Sequence, residues 1–202
     1  MADLTFLDTA TWLNPPPRVM REGGGLVVET GDTTDFWRET NYGFVHDSGH
    51  FLGREVAADF TATATWEADY SATFDQAGLM LWRGATHWIK AGIELTDGAL
   101  HMGAVVTRDR SDWSTVALPG AGGAHSLRLT RVGGAVIIDY LASPDRWQFM
   151  RLADFPSGPL RLGVMACSPS RAGLVVRFTD FSVTPPLDNP LHPETWDQVP
   201  GL

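Results

Sequence analysis

Apolar and hydroxyl residues alternate without a break along Phe60-Thr61-Ala62-Thr63-Ala64-Thr65-Trp66. A period of two is what a strand with one buried face requires. The same period runs through Trp88–Leu95, Leu100–Thr107, Ser126–Val132, Ala135–Leu141 and Arg161–Ala166. Turn signals separate these runs: Asp97-Gly98, Pro119-Gly120, Gly133-Gly134, Ser143-Pro144-Asp145 and Ser157-Gly158-Pro159. No stretch long enough for a three-turn helix keeps a 3.6-residue period. The pattern predicts an all-β chain of many short antiparallel strands in a sandwich or barrel, with one or two helical turns at most.

Two segments predict a site. In Trp88–Leu95, alternation puts Ile89, Ala91, Ile93 and Leu95 on a core face and Trp88, Lys90, Gly92 and Glu94 on the other. Lys90 and Glu94 then stand about 13 Å apart at ~3.3 Å per residue, too far to pair, so each needs another partner or a ligand. In the preceding segment Ala77, Leu79 and Leu81 suit the core, while Gln76, Gly78, Met80 and Trp82 share the opposite face. A hairpin through Gly84-Ala85-Thr86-His87 would join the two second faces into a platform of aromatics, an amide and opposite charges, with glycines leaving space between. The expectation is a shallow, wet cleft.

Composition narrows the rest. A chain of 202 residues, 44% hydrophobic and 19% charged, forms one domain with a sizeable core. The expected domain spans residues 1–184, followed by a proline-rich tail over 185–202, in which Trp196 could anchor the chain in a groove. A net charge of -9 disfavours nucleic acid and anionic membrane as partners. MADLTFLDTATWLNPPP offers no basic region before an apolar run, so no signal peptide is expected. Cys167 is the only cysteine, which excludes an internal disulfide and suits a cytoplasmic location. Lys90 is the only lysine among 15 basic residues, and so a candidate for a role that needs a compact ammonium.

The loops add candidate chemistry. Thr34–Phe44 and Ser111-Asp112-Trp113-Ser114 set tryptophan beside carboxylates, a combination that stacks on a ligand and accepts its hydroxyl protons. Trp12 and Trp66 read as structural; Trp37, Trp88 and Trp113 are expected to face the cleft. His46 and His50 are four apart in a turn, and with Asp47 or Asp112 they are a weak metal candidate; the expectation is no metal and no cofactor. A glucanase pattern Glu-x-Asp-x-x-Glu starts at Glu67-Ala68-Asp69, but Ala72 stands where the third acid belongs.

Taken together, Thr34–Phe44, Asp47–Phe51, Asp75–Met80, Trp88–Glu94, Val105–Thr107 and Ser111–Ser114 resemble the domain-of-unknown-function 1349 family, which includes regulation-of-enolase-like proteins. The resemblance runs from about Trp12 to Val183. It implies a concanavalin A-like jelly-roll sandwich of two antiparallel sheets with a concave face, and brings no established reaction, ligand or catalytic residue. Trp12-Leu13-Asn14 matches a Trp-x-Asn motif, with Pro15 where an acidic residue is expected.

The leading functional expectation is a non-catalytic module that takes a carbohydrate or similar polar molecule on the concave sheet. Its ligand-binding residues would be Trp37, Gln76, Trp88, Lys90, Glu94, Asp112 and Trp113. A phosphorylated or uronic sugar would account for Lys90. One alternative is a sugar-active hydrolase or isomerase in which Glu94 works as acid or base beside Lys90, with His50 or Asp112 as the second titrating group. Another is a protein-interaction module that acts on a metabolic enzyme.

Overall fold

The computed structural model describes residues 3–118 and 122–191. Trp196, proposed above as an anchor for the tail, lies outside the described residues. After a single 3-10 turn at Thr5–Thr9, the chain runs through β1 (Thr11–Leu13), β2 (Arg18–Glu22), β3 (Gly25–Glu29), β4 (Phe36–Arg38), β5 (Val45–Asp47), β6 (His50–Val56), β7 (Phe60–Ala68) and β8 (Gln76–Gly84). It continues with β9 (His87–Thr96), β10 (Ala99–Arg108), β11 (Arg110–Ala117), β12 (His125–Val132), β13 (Ala135–Ser143), β14 (Arg146–Asp154), β15 (Leu160–Cys167) and β16 (Val175–Thr184).

Two seven-stranded antiparallel sheets form the sandwich, in the orders β1-β6-β15-β8-β9-β10-β11 and β14-β13-β12-β7-β16-β3-β2. β4 and β5 make a separate hairpin. The core between the sheets is built from the residues that alternation assigns to it. Ala77, Leu79 and Leu81 of β8 and Ile89, Ala91 and Ile93 of β9 meet Ala62, Ala64 and Trp66 of β7 in one buried cluster. Beyond the end of β16, the Leu187 N–H still donates to Thr61 Oγ1 at 3.0 Å.

β8 and β9 pair as the hairpin reading predicts, with Gln76 opposite Glu94, Gly78 opposite Gly92 and Met80 opposite Lys90. The glycines do more than leave space on the face. A Cβ on Gly92 would fall 2.0 Å from the Ala77 carbonyl oxygen, and one on Gly78 2.1 Å from that of Ala91. Only the absence of a side chain lets the two strands approach this closely.

The outer face of this first sheet is not the wet platform expected from alternation. A second apolar cluster covers part of it: Phe36 and Trp37 from β4 pack with Phe51, Met80, Trp88, Val105, Met165 and Cys167. Phe36 sits 5.7 Å from the Trp82 ring and 5.9 Å from that of Trp88, and is fully buried. The β4–β5 hairpin is a roof, and it turns a shallow cleft into a half-open pocket.

Candidate functional site

Local bonding explains why the roof sits where it does. The Thr34 N–H donates to the Ser168 carbonyl at 3.1 Å, and the Ser168 N–H returns a bond to Thr34 Oγ1 at 3.0 Å. These bonds tie the strand leading into β4 to the end of β15. Arg38 fixes the far end, donating from its backbone N–H to Ser111 Oγ (2.9 Å) and from Nε to the Asp109 carbonyl (3.2 Å). The Trp12-Leu13-Asn14 motif belongs to the same bracing. Asn14 Nδ2 donates to the carbonyls of Asp47 (2.6 Å) and Gly49 (2.9 Å), which holds the return of β5 into β6.

Between roof and sheet lies a cavity of about 380 Å³, within the size range of small-molecule sites. Its floor is Gln76, Lys90, Glu94 and Val105; Trp37, Tyr42, Phe44 and His46 come down from the hairpin, and Trp113 closes one side. The hairpin aromatics form a continuous run: Trp37 to Tyr42 at 5.6 Å, Tyr42 stacked on Phe44 at 5.2 Å, and Phe44 edge-on to His46 at 4.5 Å. Two rim residues, Thr33 (φ 53) and Phe74 (φ 68), hold left-handed backbone that a β-branched or bulky side chain rarely adopts. Strain of that kind concentrates at ligand clamps and active sites.

The charges at the floor divide unevenly. Lys90, 3% exposed, donates from Nζ to Asp35 Oδ1 at 2.7 Å. Burial pulls the ammonium down, but the attraction of Asp35 and the neighbouring acidic groups outweighs it, and the net direction is up. Lys90 is therefore a held cation. Glu94 has no such partner: 8% exposed, it carries an Oε1 that is buried and accepts no hydrogen bond. Burial raises its carboxyl to about 7, and the nearby Lys90 charge offsets only part of that.

Of the residues expected at the site, Trp37, Gln76, Lys90, Glu94 and Trp113 come together around the cavity. Trp113 is 40% exposed, with a ring free to receive a ligand, whereas Trp37 has its indole N–H tied to the Thr40 carbonyl at 3.1 Å and serves as wall. Trp88 is a correction. It shares the predicted face, yet Phe36 and its neighbours bury it completely, and its Nε1 closes the β8–β9 turn by donating to the Ala85 carbonyl at 3.2 Å. It cannot stack on a ligand. Asp112 is a second correction: opposite in parity to Trp113, it pairs with Arg151 of β14 at 2.7 Å and lines not the cavity but an adjoining recess that shares Trp37, Tyr42 and Trp113 with it.

His50 is a third. Its Nε2 accepts the Gly31 N–H at 3.0 Å, which leaves the proton on Nδ1 to donate to the Asn14 carbonyl at 2.7 Å. Burial lowers its pKa and keeps it neutral, away from Glu94. Both candidates for a second titrating group thus lie outside the pocket. Among the described residues, no group of three or more His, Cys, Asp or Glu side chains could hold a metal ion. The sequence reading did not name Asp35, Tyr42, Phe44 or Phe74 individually as ligand-binding residues, and weighed His46 only as a metal ligand. The aromatic density of Thr34–Phe44 was a signal for two of them. Nothing local announces the pairing of Asp35 with Lys90, across 55 residues of chain.

Two antiparallel sheets around one core, with a pocket roofed by a hairpin on the outer face of one sheet, define a jelly-roll β-sandwich of the lectin-like kind. A legume lectin-like domain from Entamoeba histolytica superposes with a TM-score of 0.61 at 10% identity, over 86% of this chain and 89% of that one; at that identity the likeness is one of fold. The chain belongs to the family described as Protein of unknown function (DUF1349), which it matches over residues 12–186. It is 44% identical over 189 residues to Regulation of enolase protein 1 of Saccharomyces cerevisiae, covering 93% of this chain and 96% of the yeast one. It also matches the crystal structure of a functionally unknown protein from the same yeast, with a TM-score of 0.86 at 44% identity, over 90% of this chain and 99% of that one.

Proposed function

We propose that this protein is a non-catalytic binding module that takes a small carbohydrate or a similar polar molecule with an apolar face into the pocket under the β4–β5 hairpin. One observation carries the reading: Glu94, a buried carboxyl with one oxygen left without a partner, lines a cavity walled by aromatic rings. An unsatisfied buried acceptor costs ~1–3 kcal/mol, so this carboxyl is under-bonded and a ligand donor reaching it from the cavity would be favoured. Gln76, opposite Glu94 on β8, supplies an amide for a second contact, and Trp113 supplies the stacking face. Its lone, buried cysteine supports a cytoplasmic setting.

The test is a thermal-shift and calorimetric titration of the full chain with neutral and charged hexoses. Saturation at 100 times Kd should stabilise by about 2.7 kcal/mol, a rise of roughly 5–10 °C in Tm. Trp113→Ala and Glu94→Ala should each abolish the shift. Unchanged affinity in both variants overturns the placement, and turnover of a sugar that is lost in Glu94→Gln overturns the non-catalytic part.

The name of the yeast relative, Regulation of enolase protein 1, favours a second reading, a regulatory module that acts on a metabolic enzyme. Titration of purified enolase against this protein, with and without the Trp113→Ala change, tests it. Absence of binding in both forms removes that partner.

A further inference from the structure

The charges around the pocket say which kind of sugar-like molecule fits. Sequence alone made Lys90 a candidate to bind a phosphate or uronate, but its ammonium is held by Asp35 at 2.7 Å and is 3% exposed. An incoming anion would have to displace Asp35 and would also face Glu94. The charged lining residues are one lysine against two carboxyl groups, and the remaining titratable lining groups, Tyr42 and His46, stand on the hairpin wall, the His46 ring packed edge-on against Phe44. On β10, His101 faces Glu94 in register and is half-buried, but it does not line the cavity and its Nδ1 is bonded to the Ala99 carbonyl. Among the described residues lining the cavity, the only basic side chain besides His46 is Lys90, which is already paired with Asp35.

We infer that the ligand presents a protonated amine to Glu94, so that the pocket selects an aminated sugar or sugar-like amine over a neutral, phosphorylated or uronic one. This rests on the binding reading above and adds its charge. An N–H donor on a cation gives the Glu94 carboxyl, which lines the cavity, a charge-assisted bond stronger than a hydroxyl could make. The walls favour the same choice: Tyr42, Phe44, Phe74, Trp37 and Trp113 surround the cavity, and ring faces attract a desolvated ammonium. A neutral polyol would bury several hydroxyls against those rings, with Gln76 and Glu94 as the main floor groups not already paired. The raised carboxyl of Glu94 agrees with a site that lacks its positive partner, since a bound ammonium would draw the proton off.

The experiment is isothermal titration of the full chain at pH 7 with glucosamine, glucose, glucose 6-phosphate and glucuronate, repeated with Glu94→Gln. Glu94→Gln keeps the shape and removes the charge, and a thermal melt checks that it folds. Glucosamine should bind tighter than glucose by on the order of tenfold or more, and the difference should vanish in Glu94→Gln. Equal affinity for glucosamine and glucose, or a preference for either anion, overturns the amine inference and leaves the binding reading standing. No binding by any of the four overturns the binding reading and the amine with it.

Discussion

Lys90 Nζ lies 2.7 Å from Asp35 Oδ1, and this pair joins the floor of the pocket to its roof. Lys90 projects from β9, and Asp35 ends the stretch that Thr34 and Ser168 staple to β15. The same Asp35 oxygen accepts the Phe36 N–H at 2.8 Å, so the carboxylate also fixes the entry into β4. Removing one member of such a pair leaves a charge in a low-dielectric site, which is where the cost of a buried ion pair becomes visible.

A double-mutant cycle should show this directly. Lys90→Met and Asp35→Asn are each expected to destabilise by about 3 kcal/mol, and the double variant by clearly less than their sum. Chemical denaturation of the four proteins measures the coupling. Additive losses would mean that the contact has no energetic weight.

Glu94 imposes a pH dependence of known sign. Its carboxyl ionises at about 7 in the folded chain against 4.5 ordinarily, so between these values the folded state holds the extra proton. Stability from this group is full below pH 4.5 and declines as pH rises to about 7. The loss is on the order of 3 kcal/mol. Glu94→Gln should remove that decline and be the more stable protein at pH 8. The comparison is Tm against pH for both chains.

His50 acts on the other side. With its pKa lowered from 6.5 by burial, it contributes stability above pH 6.5 that is lost as the solution becomes more acidic. His50→Asn should flatten the acid limb of the same profile and leave the decline due to Glu94 in place. A profile with an unchanged acid limb would exclude His50 as its source.

Two tryptophans of the pocket sheet should separate fold from binding. Trp88→Ala empties a fully buried site and is expected to cost about 3–5 kcal/mol, which lowers Tm by roughly 10 °C or more. Trp113→Ala, at a 40% exposed position, should leave Tm within a few degrees of the parent and abolish ligand-induced stabilisation. Melting curves with and without ligand distinguish the two.

Gly92→Ala should be among the most damaging single methyl additions in the molecule. The new Cβ would meet the Ala77 carbonyl at 2.0 Å and Gly78 Cα at 2.7 Å, both backbone atoms that cannot turn aside. Gly103→Ala, where the nearest atom lies at 3.4 Å on the flexible Thr115 side chain, should be tolerated. Expression level and Tm of the pair provide the check.

The period of two along Phe60–Trp66, Trp88–Leu95 and Leu100–Thr107 determined the strands, the inward face of each and the β8–β9 pairing, because alternation is a local property of a pleated chain. It also brought Gln76, Lys90 and Glu94 to one face. What alternation cannot say is whether that second face meets water. Phe36, more than 50 residues before Trp88 in the chain, decides this by packing across Trp82 and Trp88, and it turns a predicted stacking surface into core. The fates of the two charges are equally non-local. Lys90 is paired and Glu94 is not because the roof delivers one carboxylate beside the lysine and nothing beside the glutamate, and burial then makes that difference count.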